Sequence, residues 1–110
     1  MDEEVVDELE LGGNIQLSGF GEIEKTELIV VKKMVGSSAR KFADHFSDFE
    51  KLHLTLKIVH KREKSEKYEI MGKLVIGGKA HNAEDTDRNI YFCLDRVLKK
   101  LETEVTKDKN

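Results

Sequence analysis

Residues 68–83 read Tyr68-Glu69-Ile70-Met71-Gly72-Lys73-Leu74-Val75-Ile76-Gly77-Gly78-Lys79-Ala80-His81-Asn82-Ala83, and residues 90–101 read Ile90-Tyr91-Phe92-Cys93-Leu94-Asp95-Arg96-Val97-Leu98-Lys99-Lys100-Leu101. The hydrophobic period changes between the two stretches, and that change decides the fold. Tyr68, Ile70, Leu74 and Ile76 alternate, so 68–76 is a strand with one apolar face. Gly77-Gly78 permits the positive φ that a two-residue hairpin requires, and a short strand over 79–83 follows. From Ile90 onward, apolar residues at 90, 94, 97, 98, 101 and 105 recur at helical spacing and form one stripe. Glu84-Asp85-Thr86-Asp87, between strand and helix, supplies acids and a cap for the helix.

Working outward, residues 51–60 alternate through Leu52, Leu54, Leu56 and Ile58, a second strand with one buried face. Lys61-Arg62-Glu63-Lys64-Ser65-Glu66-Lys67 is a charged connection with no apolar residue. Over 26–46, Leu28, Val31, Val35, Ser38, Phe42 and Phe46 repeat at three and four residues, with Thr26 placed to cap the first turn. Gly36 weakens the middle of that helix by about 1 kcal/mol relative to alanine, so a bend there would be tolerated. Residues 14–23, with Ile15, Leu17 and Phe20, form a short strand and a turn. The order is strand, helix, three strands, helix. A long helix between the first two strands is a crossover that lets them lie parallel, and the remaining strands form an antiparallel meander. The expected architecture is α+β, βαβββα: a four-stranded mixed sheet with two helices packed on one face.

A chain of 110 residues, 38% hydrophobic and 37% charged, makes one domain with a thin core and a busy surface. No apolar run approaches the roughly 20 residues of a membrane span. The acidic start is wrong for a signal peptide, so a cytoplasmic protein is expected. Cys93 is the one cysteine, which excludes an intramolecular disulfide; its place in the apolar stripe marks a buried thiol. The net charge of −3 is unevenly spread. Residues 1–10 hold six acids and no base; without them, 16 acids face 19 bases, a net of +3. The expected division is an acidic, disordered tail over 1–13 and a single domain over 14–110. The tail is either a solubilising end or a weak electrostatic brake on a basic body.

Gly77-Gly78, Ala80 and Ala83, then Ile90-Tyr91-Phe92-Cys93-Leu94-Asp95, Lys100-Leu101-Glu102, and finally Lys107 and Lys109, make the chain resemble one known family. It is that of the ribosome hibernation-promoting factors, or ribosome-associated translation inhibitors (sigma-54 modulation proteins). The resemblance covers about residues 14–109 and rests on segment order and on the Tyr-x-x-x-Asp and Lys-Leu-Glu register. Three features depart from the family pattern: Phe92 and Cys93 where small residues are usual, a longer and more acidic 84–88 segment, and the acidic tail. The chain stops soon after the last helix, as in short family members that lack a C-terminal dimerisation domain.

The resemblance implies a ribosome-binding translation inhibitor that contacts small-subunit rRNA through a basic two-helix face and blocks the mRNA/tRNA channel in quiescent, stressed cells. Such a plug needs phosphate contacts and no base reading, which lysine and arginine supply. Carried over by position, the RNA-binding candidates are Lys32, Lys33, Arg40 and Lys41 on the first helix and Arg88, Arg96, Lys99, Lys100 and Lys107 on the second. Lys57, Lys61, Arg62 and Lys64 extend them. Arg96, Lys99 and Lys100 lead, followed by Arg40 with its planar fork. The implied partner is the small ribosomal subunit through its rRNA. No cofactor, metal, membrane or small-molecule substrate is implied; a monomer is expected, and a homodimer is not excluded.

Other chemistry finds little support in the residues. His45, His53, His60 and His81 are scattered, and His53 and His60 fall on opposite faces of a regular strand. There is no P-loop and no Gly-x-Gly-x-x-Gly, and the few phenylalanines are not arranged as a base-stacking strand surface. No enzyme is expected. The alternative class is a protein-interaction module using the acidic tail or the open sheet face, and a wide apolar patch on that face would favour it.

Overall fold

The computed structural model describes residues 8–10, 13–60 and 66–109. Its elements are β1 (Glu8–Glu10), β2 (Ile15–Ser18), α1 (Lys25–His45), β3 (Phe49–His60), β4 (Glu66–Ile76), β5 (Lys79–Asp87) and α2 (Ile90–Lys109), with a 3₁₀ turn at Phe20–Glu22 before α1. The sheet runs β1-β2-β3-β4-β5. β2 and β3 are parallel, pairing Ile15 with Leu52 and Leu17 with Leu54, and every other pairing is antiparallel. The βαβββα order, the four-stranded mixed sheet and the two packed helices are thus as predicted. The addition is β1, which sets Leu9 opposite Leu17 and edges the sheet. It comes from the stretch predicted as a disordered tail; residues 1–7, 11 and 12 lie outside the described residues.

The core lies between the sheet and the helices. Leu17, Leu52, Leu54, Leu56, Ile70 and Leu74 from the strands meet Val31, Val35, Ala39 and Phe42 of α1. The predicted α2 stripe of Ile90, Leu94, Val97, Leu98, Leu101 and Val105 is buried throughout. Cys93 is buried with it, its Sγ 3.3 Å from the Asp85 carbonyl and 3.5 Å from that of Tyr68. Burial pushes its thiol up to about 11, so it stays an unreactive core atom. Gly72 shows how close α2 comes to β4: a Cβ there would lie 2.8 Å from Val97 and 2.9 Å from Leu101. Gly77 and Gly78 adopt φ of 57° and 78°, the positive pair of the predicted tight hairpin.

Several boundaries differ from the sequence prediction; β4 begins at Glu66, so Glu66 and Lys67 of the expected charged connection are paired in the sheet with His60 and Val59. Helix α1 starts at Lys25 rather than Thr26, because Glu24 takes the cap position and Glu27 Oε1 accepts its backbone N–H at 3.2 Å; Thr26 is exposed in the first turn. Strand β3 starts at Phe49, whose ring stacks obliquely on Phe42, the centroids 6.4 Å apart. Strand β5 runs to Asp87 instead of ending at Ala83. The cap of α2 is therefore Asn89, whose Oδ1 accepts the N–H of Tyr91 at 2.9 Å and of Phe92 at 3.0 Å. Asp87 in turn holds the Asn89 N–H at 2.7 Å.

Candidate nucleic-acid interface

The thirteen RNA-binding candidates divide into four groups. On α1, Lys33, Arg40 and Lys41 are exposed and Lys32 is half-buried. None of the four forms an ion pair with a described residue. On α2, Arg96, Lys99 and Lys100 are engaged. Arg96 Nε meets Asp85 Oδ2 at 2.9 Å, and its Nη2 meets Asp87 Oδ2 at 2.5 Å. The same Nη2 also donates to the Thr86 carbonyl at 3.4 Å. Lys100 Nζ donates to the Glu84 carbonyl at 2.8 Å and lies 3.3 Å from Asp85 Oδ2. Lys99 pairs with Asp95 one turn away at 3.2 Å. Arg88 and Lys107, at the two ends of α2, are exposed and form no ion pair with a described residue.

Lys57 belongs to a third group. Leu54 and Leu56 point into the core, so Lys57 projects from the opposite face of the sheet, away from both helices. Lys51 and Lys73 share that face and were not among the candidates. Lys61, Arg62 and Lys64 lie outside the described residues.

The acid–base cluster at the β5–α2 junction is electrically neutral. Two carboxylates, Asp85 and Asp87, meet two cations, Arg96 and Lys100. Hydrogen bonds from Arg96 hold both carboxyls below the usual aspartate range, and the guanidinium is correspondingly raised. The polar edge strand explains itself this way. Asp85 and Asp87 alternate toward the helix, and Arg96 and Lys100 satisfy the edge carbonyls of Thr86 and Glu84 that no neighbouring strand reaches.

Between the helices runs a groove of about 350 Å³. Phe42, Phe46 and Leu98 form its apolar floor; Lys41 and His45 stand on the α1 wall, and Asp95, Lys99 and Glu102 on the α2 wall. His45 Nδ1 lies 2.9 Å from the Lys41 carbonyl, which can only accept, so Nδ1 carries the proton and Nε2 faces outward. One feature of this surface was noted in the sequence only as a departure from a family pattern. Phe92, in the first turn of α2, leaves 61% of its surface exposed.

The outer face of the sheet is polar. Its cross-strand rows run Gln16, His53, Lys73, Asn82 and Ser18, Thr55, Met71, Glu84. Ser18 Oγ and His53 Nε2 are hydrogen-bonded at 2.8 Å. Among the described residues, Met71 is the one large apolar side chain exposed on this face. His81 is buried on the helix side.

The domain is an α+β sandwich of two helices on a mixed sheet, with cations along one helix that form no ion pair with a described residue. It is similar to a solved structure, that of a ribosomal subunit interface protein from Coxiella burnetii. The two are 19% identical, with a TM-score of 0.51, and the match covers 69% of this chain and 82% of the other. At that identity the likeness is one of fold. No family model and no curated protein matches the chain.

Proposed function

We propose that this chain is a ribosome-binding translation inhibitor of the hibernation-factor kind, which contacts small-subunit rRNA through its helical face and blocks the mRNA/tRNA channel. The observation that carries this reading is the row of Lys32, Lys33, Arg40 and Lys41 on α1. Cations that form no ion pair with a described residue are the ones free to release counterions from RNA phosphates. The likeness in fold to a ribosomal subunit interface protein supports the same reading.

The contact surface differs in emphasis from the one the sequence suggested. Arg96, Lys99 and Lys100 contribute no net positive charge, so α1, with Arg88 and Lys107 at the ends of α2, supplies the phosphate contacts. The junction cluster instead fixes α2 on the sheet, giving the plug rigidity. The wide apolar patch that would favour a protein-interaction module through the open sheet face is not found among the described residues. Competition tests the proposal. Small subunits saturated with this protein are expected to lose binding of mRNA and initiator tRNA; unchanged tRNA binding on saturated subunits would refute channel blocking.

A further inference from the structure

Four large apolar side chains are exposed among the described residues, and Phe92 is the most exposed and the one aromatic. Its neighbours in sequence are tucked in: Cys93 is fully buried, and Tyr91 packs against the core. The side chain adds nothing to the core it stands above. A phenyl ring offers no hydrogen bond and no charge, so what it presents to a ligand is a π face.

Its position gives that face a context. Phe92, Asp95, Lys99 and Glu102 follow at three- and four-residue steps along one stripe of α2, and the last three line the inter-helix groove. The two helices run in the same direction. α1 returns the chain between parallel β2 and β3, and α2 returns from β5, which runs with β3 because two antiparallel pairings separate them. Ser38 on α1 and Asp95 on α2 both line the groove, and Met34 and Phe92 come one turn before them on their own helices. Phe92 thus stands at the upper mouth of a groove whose far wall bears Lys41. Arg88, exposed and without an ion pair to a described residue, lies four residues earlier in the chain, just before the Asn89 cap of α2.

We infer that Phe92 is a stacking platform for one unstacked base, and that the groove between the helices is a track for single-stranded RNA. This deepens the proposed function and rests on it. Aromatic stacking beside backbone-tracking cations is how single strands are held without sequence preference. The bases of a duplex are already stacked and give a protruding phenyl ring nothing to cover. Lys41, Lys33 and Arg88 take the phosphates while Phe92 takes the base.

The experiment measures binding of a short unstructured RNA, and of the same strand annealed to its complement, to wild-type protein and to Phe92→Ala, Phe92→Leu and Phe92→Tyr. Phe92 is exposed, so all three variants are expected to fold. The alanine and leucine variants are expected to lose about tenfold in affinity for the single strand, with the slope against salt unchanged, while tyrosine retains affinity and duplex binding does not move. Wild-type affinity in Phe92→Ala overturns the inference, as does full affinity in Phe92→Leu, which would mark an aliphatic contact. A variant that binds naked RNA normally yet leaves small subunits would assign Phe92 to a protein contact, against the inference. If the wild type binds with salt dependence but position 92 is silent, only the stacking falls; if the wild type binds neither RNA nor small subunits, the proposed function falls with it.

Discussion

Two sets of substitutions separate the α1 cations from the junction cluster. The first replaces Lys33, Arg40 and Lys41 with glutamine; the second replaces Arg96 and Lys100 with glutamine together with Asp85 and Asp87 with asparagine. The second set removes two cations and two anions, so it leaves net charge untouched. If each of the three α1 cations contacts one phosphate, the slope of log affinity against log salt falls by about 2, at roughly 0.7 per contact on a single strand. Referred to 1 M salt, where that contribution vanishes, such a slope is worth about a hundredfold in affinity near 0.1 M. The second set is expected to leave the slope unchanged, because its charges already neutralise one another. The assay is fluorescence anisotropy with a labelled RNA at four or five salt concentrations, with a thermal melt of each variant to confirm folding. A slope that falls in the junction variant and holds in the α1 variant would refute the reasoning and return the contact to Arg96 and Lys100.

Further outcomes follow from the fold. Gly72→Ala places a methyl within 3 Å of Val97 and Leu101 and is expected to cost about 1–3 kcal/mol by urea denaturation; a neutral result would mean α2 shifts freely on the sheet. Asn89→Ala removes the acceptor for the Tyr91 and Phe92 amides and is expected to cost about 1 kcal/mol, with Asn89→Asp restoring most of it. The lowered carboxyls of Asp85 and Asp87 stabilise the fold above the unfolded-state value, about 3.9, and that contribution is lost as pH falls through their lower folded values. The urea midpoint of the wild type is therefore expected to drop below about pH 4 more steeply than that of the Asp85→Asn/Asp87→Asn variant. Parallel pH profiles would show the cluster to be energetically idle.

Periodicity made most of the fold legible. Leu52, Leu54 and Leu56 on β3, and Ile90, Leu94, Val97, Leu98, Leu101 and Val105 on α2, sit where an apolar face must sit, and each is buried. The misplaced end of β5 has a physical cause. Glu84-Asp85-Thr86-Asp87 alternates between two polar sets, so nothing in its hydropathy announces a strand. It is held in the sheet by Arg96 and Lys100, nine to sixteen residues further along. The same long-range pairing hid the state of the candidate site. A basic stripe on α2 is visible in the sequence, whereas its neutralisation by acids on β5 depends on how the chain returns. Glu8–Glu10 falls within a run of acids whose composition argues for disorder; the backbone pairing of Leu9 with Leu17 is a tertiary choice that local charge does not encode.

Sedimentation through sucrose with purified small ribosomal subunits tests the central claim most directly. At about 50 mM salt, where phosphate contacts are strong, the wild-type protein is expected to travel with the subunits. It should leave them as salt is raised, while the Lys33, Arg40 and Lys41 glutamine variant should already be lost at intermediate salt. Wild-type protein that stays at the top of the gradient at low salt would contradict the account, and so would binding that ignores salt.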